Sequence, residues 1–222
     1  MKRLAQAVSF CFCVIITFEK SANAQSLLLD QYNTIVPLDG GGFVRSGARH
    51  AQTFRVGVGG ILTTVDFTVY RPPDWDLPDA PLRVDLYDTT ATGLPGSRVL
   101  ASMFLNAAEL SPQSDSFAQI NFANAALPVT PGQSLAIVLS TAASVGTYRV
   151  SATSEYGQDG YVPGAGYVDY GTGWQKPFEG IPEWDYGFRT YVLVPEPSVT
   201  VIGLMALVVS FLSLWRRALL RR

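Results

Sequence analysis

Past residue 24 this chain has no cysteine. The only two, Cys11 and Cys13, lie in an N-terminal apolar stretch, so whatever folds beyond it has no disulfide staple, thiol nucleophile or cysteine-based zinc site. Histidine is almost as scarce. His50 is the only one, so no histidine cluster can hold a metal, and a Ser-His-Asp triad would have to use it. It stands in Gly47-Ala48-Arg49-His50-Ala51 without a G-x-S-x-G elbow, and a solvated or locally hydrogen-bonded ring is the better reading. Positive charge is thin as well. Residues 25–194 hold nine Lys/Arg against sixteen Asp/Glu, a net charge of −7, with no basic cluster. That excludes the electrostatic footprint of a nucleic-acid binder. Carboxylates are the ligands Ca²⁺ prefers, so structural calcium is conceivable, but plain solubility is the better reading of the charge and no cofactor is expected. Long apolar runs are missing except at the two ends.

The N-terminal end is built for export. Lys2 and Arg3 give a positive start, Leu4 to Phe18 is uncharged and mostly apolar, and Ala22-Asn23-Ala24 supplies the small-x-small pattern read by signal peptidase. Fifteen residues are short for a membrane span. The expected arrangement is a signal peptide over residues 1–24, cut after Ala24.

The other end is basic. Pro195 and Pro197 interrupt any element entering it. Val199 to Trp215 is a seventeen-residue stretch without charge, about 26 Å long as a helix and near the minimum for a bilayer core. Trp215 sits at an interfacial position, and Arg216, Arg217, Arg221 and Arg222 follow, which keeps this end cytoplasmic. The residues alone predict a transmembrane helix at 199–215 with a basic tail at 216–222.

Val194-Pro195-Glu196-Pro197-Ser198, followed by an apolar span and a terminal arginine cluster, resembles the PEP-CTERM sorting signal over residues 194–222. The resemblance implies an exosortase as partner, cleavage near Pro-Glu-Pro, transient anchoring in the inner membrane, and delivery to the cell surface or an extracellular polysaccharide matrix. These five residues would then be a substrate motif, not a catalytic site.

Residues 25–193 alternate with a period of two. Ile61 to Arg71 places Ile61, Thr63, Val65, Phe67 and Val69 on one face and Asp66 and Thr68 on the other. Leu82 to Asp88 places Leu82, Val84 and Leu86 inward. Further strands are predicted at 26–36, 52–58, 98–105, 117–122, 134–140, 148–153, 166–170 and 186–194, and one helical turn at 106–110. Turn formers separate them: Gly59-Gly60, Pro72-Pro73-Asp74, Gly93-Leu94-Pro95-Gly96, Pro131-Gly132 and Gly157-Gln158-Asp159-Gly160. The predicted fold is all-β, a single β-sandwich or jelly roll. Runs such as AQTFRVGVGGILTTVDFTVY, LRVDLYDTTATGLPGSRVLAS and PVTPGQSLAIVLS, with YGFRTYV near the end, resemble the choice-of-anchor ectodomains. These are bacterial β-sandwich modules, and the resemblance implies a fold and a location but no activity. Their closing strand often reads Asp-Leu-Ala-Phe-Arg-Thr; Asp185-Tyr186-Gly187-Phe188-Arg189-Thr190 departs from it at two positions.

Catalytic chemistry is hard to find in the residues. Gly40-Gly41-Gly42 lacks the Lys-Ser/Thr of a phosphate loop and reads as a flexible turn. Glu155, Asp159, Glu179, Glu183 and Asp185 could supply the carboxylate pair of a glycoside hydrolase, but sixteen acids on an acidic surface need no such explanation. The region 156–191 is rich in aromatic rings among glycines. Trp174, Trp184, Tyr167 and Tyr170 are its candidate glycan contacts, since sugar C–H faces pack on exposed rings; filling the core or capping its end is the competing role. The expectation is a non-catalytic exported surface or matrix protein, with a carbohydrate-binding module as the alternative.

Overall fold

The computed structural model describes residues 25–33, 41–114, 116–152, 160–177 and 184–196. The chain divides into two compact units, Leu27–Val194 and a second comprising Met1–Ser26 with Pro195–Arg222. The expected signal peptide with Ala22 and Ala24, the 199–215 span, Trp215 and the terminal arginines all lie outside the described residues. Among the described residues no helix is long and apolar enough to cross a membrane.

The fold is all-β. The strands are β1 (Gln25–Asn33), β2 (Gly41–Val44), β3 (Arg49–Arg55), β4 (Gly60–Phe67), β5 (Val69–Tyr70), β6 (Leu82–Thr89), β7 (Pro95–Leu105), β8 (Ala118–Asn121), β9 (Leu127–Val129), β10 (Ser134–Thr141), β11 (Tyr148–Ser151), β12 (Gly166–Asp169) and β13 (Phe188–Pro195). They form three sheets: β1-β13-β4-β8 with β9 also paired to β4, β12-β3-β10-β6-β7, and β2-β11-β5. Pairing is antiparallel at β3–β10–β6–β7, at β13–β4–β8 and at β2–β11–β5. The predicted helical turn is a 3₁₀ turn at Ala107–Glu109, closed by a reciprocal capping box between Asn106 and Glu109.

One apolar cluster draws from all three sheets. Phe54, Leu82, Val84, Leu86, Leu135 and Ile137 come from the second; Leu62, Val65, Phe67, Ile120 and Phe188 from the first; Val44, Val69 and Val150 from the third. The outer face of the second sheet carries a smaller cluster of Ala51, Ala136, Val138 and Tyr167.

Alternation located most strands but misjudged parts of β4. Thr64 pairs with Tyr191 and Leu62 with Val192, so Thr63 is an extra residue, a β-bulge. Beyond it the pattern flips: Leu62, not Ile61, enters the core. Thr68, expected outside, is fully buried. There the strand leaves one sheet as β4 and joins another as β5, and the Thr68 hydroxyl bridges the seam. It donates to the carbonyl of Ser151 (3.0 Å) or Gly187 (3.1 Å) and accepts from the Gly187 N–H (3.1 Å). Two turn expectations also need correcting. Pro95 and Gly96 begin β7, the turn being held by Thr90 and Leu94 (2.8 Å). Gly41 and Gly42 lie in β2 rather than in a turn.

Candidate functional site

β2 explains its own glycines. A Cβ on Gly42 would lie 2.0 Å from the His50 ring, and one on Gly41 would lie 1.6 Å from the Val150 carbonyl oxygen. Only glycine lets this strand close over His50 on β3. Buried to 2 % exposure, the histidine has both ring nitrogens engaged. Nε2 lies 3.0 Å from the Phe43 carbonyl and Nδ1 lies 2.7 Å from the Tyr186 hydroxyl. A carbonyl only accepts, which assigns the proton to Nε2 and makes the Tyr186 O–H the donor to Nδ1. Burial pushes the His50 pKa down to about 4 against the opposing pull of the Phe43 carbonyl, and burial pushes the Tyr186 hydroxyl far up. The neutral imidazole therefore offers no free nitrogen lone pair to a substrate, and the Tyr186 hydroxyl stays protonated at neutral pH.

The segment Trp184-Asp185-Tyr186 is held from β3. Gln52 donates to Asp185 Oδ1 (2.8 Å) and accepts from the Tyr186 N–H (2.7 Å), while Asp185 Oδ2 accepts from the Tyr161 N–H (2.9 Å). Asp185, a candidate hydrolytic carboxylate by sequence, is 1 % exposed and occupied as a backbone clamp. Glu155, Asp159, Glu179 and Glu183 lie outside the described residues.

Above His50 and Tyr186 opens a pocket of about 220 Å³, below the range of ~300–1,000 Å³ usual for sites of drug-sized ligands. Trp184 and Tyr186, edge to face at 6.5 Å, line it with the two β2 glycines; Phe43, Arg45, Tyr170 and Pro177 complete it. Tyr170 is 54 % exposed and Phe43 41 %, and Arg45 is exposed, so two aromatic residues and one guanidinium reach solvent at the pocket.

The four aromatic candidates do not form one site. Tyr170 and Trp184 meet at this pocket, with Trp184 only 8 % exposed. Tyr167 and Trp174 instead pack on the alanine-lined outer face of the second sheet. A hairpin brings Trp174 there: Val168 and Gln175 exchange backbone bonds at 2.9 Å, and Asp169 Oδ1 accepts from the Gly171 and Gly173 amides at 2.8 and 2.9 Å. Arg49, ion-paired with Asp169, lies 4.9 Å over the Trp174 ring, and Lys176 lies 4.8 Å over Tyr167.

Sequence reasoning missed a second aromatic group beside the pocket. Phe43 stacks on Trp75 with centroids 5.5 Å apart at 17°. The Arg149 guanidinium lies 5.0 Å from Phe43 and 5.8 Å from both Tyr70 and Trp75. Phe43, Tyr70 and Arg149 are distant in sequence and are joined by the β2–β11–β5 register; Trp75 reaches Phe43 from the segment between β5 and β6.

Of the sorting motif, Val194 and Pro195 end β13 and Glu196 is exposed; Pro197 and Ser198 lie outside the described residues. Among the described residues no three His, Cys, Asp or Glu side chains gather as metal ligands. No protein-family model and no curated protein matches the sequence.

Proposed function

We propose that this chain is an exported, non-catalytic surface or extracellular-matrix protein, sorted through its membrane tail and cleaved by an exosortase at Val194–Ser198. The observation that carries the reading is where the fold stops. The compact unit closes at Val194 and its last strand ends at Pro195, so cleavage within Pro195-Glu196-Pro197 leaves every residue of that unit in place. The signal sequence before residue 25 and the arginine-flanked apolar stretch after Ser198 supply the matching topology. A β-sandwich or jelly roll is the architecture proposed for the delivered domain, since two five-stranded sheets share one apolar cluster. Mass spectrometry of the mature C-terminus from surface and medium fractions tests the sorting. A terminus within Val194–Ser198 that disappears when the host exosortase is deleted is expected; an intact Arg222 in the inner membrane overturns the proposal.

The pocket favours a second, compatible reading, carbohydrate binding. It offers the exposed aromatic residues Tyr170 and Phe43 beside a histidine with no free nitrogen, an arrangement suited to holding a sugar rather than cleaving one. Tyr170→Ala is expected to abolish retention of the full-length chain on a polysaccharide that the wild type binds, with an unchanged urea midpoint because the ring is largely outside the core. Wild-type failure to bind any member of a polysaccharide panel would sink this reading. Trp184→Ala is the poorer probe, since its buried ring tests the fold as much as the site.

A further inference from the structure

The outer face of the β2-β11-β5 sheet carries a cation that rings surround but no described acceptor engages. Arg149 stands opposite Phe43 on one neighbouring strand and opposite Tyr70 on the other. The row across the sheet is therefore aromatic, guanidinium, aromatic, with Trp75 laid over Phe43. Three rings at 5.0–5.8 Å attract the charge through their faces. They satisfy none of its hydrogen bonds. Among the described residues Arg149 forms no ion pair, and its Nε is buried without an acceptor. A guanidinium is a planar fork of five donors, matched by the two oxygens of a carboxylate. Beside it, Trp75 and Phe43 are each 41 % exposed, large rings that a self-contained surface would cover.

We propose that this face is a subsite for an acidic sugar. Arg149 takes the carboxylate of a uronate unit, while Trp75 and Phe43 supply the platform for its C–H face. Phe43 also lines the pocket that holds Arg45, so the two surfaces are continuous and a uronate-containing chain can lie across both. This rests on the carbohydrate reading of the pocket and names the sugar class. Residues 25–194 carry a net charge of −7, which opposes general attraction to a polyanion, but Arg216, Arg217, Arg221 and Arg222 attract one; the loss on changing Arg149, which leaves those arginines in place, is therefore what reports a local site.

The test is affinity electrophoresis of the full-length chain in mild detergent against polygalacturonate and against the same polymer with its carboxyls reduced to alcohols. The wild type is expected to prefer polygalacturonate. Arg149→Gln is expected to weaken that binding about tenfold, the scale of a lost charge-assisted hydrogen bond, and to leave affinity for the reduced polymer unchanged. Trp75→Ala is expected to weaken both. Urea midpoints matching the wild type certify the folds, and Trp75→Ala decides if Arg149→Gln does not fold. Equal wild-type affinity for the two polymers, or unchanged binding of polygalacturonate by both variants, overturns the subsite and leaves the carbohydrate reading standing. Retention on neither of these nor on any polysaccharide of the panel removes both.

Discussion

Phe188→Ala is expected to destabilise the fold by about 3–5 kcal/mol, the range for deleting a buried phenylalanine. Phe188 is fully buried on β13 and stands opposite Phe67 on β4. Its ring lies 5.9 Å from Phe54 and meets Tyr161 edge to face at 4.9 Å and 88°. These neighbours cannot simply close in on the space. Phe54 is fixed to β3 in the second sheet, Phe67 to β4 in the first, and the Tyr161 hydroxyl is tied to Gln31 (2.7 Å). The cavity therefore persists, and the lost contacts are not remade. A loss of that size is a large part of the ~5–15 kcal/mol by which domains are usually stable, so the melting temperature should fall by roughly 10 °C. Phe104→Ala is the control: at 59 % exposure its removal should change stability by less than about 0.5 kcal/mol. Urea unfolding of the full-length chain followed by tryptophan fluorescence measures both. Similar midpoints for the two variants would mean that Phe188 does not hold the sheets together.

Most of the β framework is legible because alternation is a one-dimensional signal and burial on one face preserves it. It fails where a partner strand decides. The Thr63 bulge is set by the step from Tyr191 to Val192 on β13, which no local pattern around Ile61 contains. β9 leaves no legible signal, since it is three residues long with Pro128 in the middle. Pro128 is tolerated there because β9 pairs with β4 on one side only. Gly41-Gly42 looked like a turn because glycine usually marks one; here it marks backbone packed against His50 and Val150. Polar residues told least. Thr68 and Asp66 read as outward-facing, yet Thr68 bridges two sheets and Asp66 is 6 % exposed beside Arg189 (3.7 Å) and the Tyr191 hydroxyl (3.1 Å).

The candidate site was legible in composition and not in geometry. The aromatic region 156–191 does supply Tyr170 and Trp184 to the pocket, but the other half of the wall, Phe43 and Arg45, comes from a segment noted only for its glycines. Each of the six residues from Asp185 to Thr190 has a defined place in the fold. Asp185 clamps Gln52 and Tyr161, Tyr186 binds His50, Gly187 meets Thr68, Phe188 fills the core, Arg189 approaches Asp66, and Thr190 accepts from the Gln31 N–H (3.1 Å).

Acid is expected to weaken the protein through one residue before it reaches the carboxylates. The His50 pKa is about 4 in the folded chain and about 6.5 when unfolded. Between those values the unfolded chain binds the proton and the folded chain refuses it, so stability is full above pH 6.5 and falls as the pH drops towards 4. The loss is about 2.5 kcal/mol by pH 4.5, from the same linkage relation. Asp79, lowered by the Ser144 hydroxyl and nearby amides, loses its contribution only below its ordinary value of 3.8. Asp169 behaves alike: burial raises it, but Arg49 and the Gly171 and Gly173 amides outweigh burial and bring it below 3.8. The windows are thus separate. Urea midpoints between pH 7 and 4.5 should fall steadily in the wild type and stay nearly level in His50→Gln, which starts lower but has no proton to take. Because the chain has a single histidine, its imidazole NMR signals are unambiguous and should not titrate above about pH 5. A midpoint near 6.5, or equal slopes in the two proteins, would show that the ring is open to water. The pocket above it would then have a floor that gains charge in mild acid, where the buried, neutral imidazole leaves Arg45 as the one charged side chain lining it among the described residues.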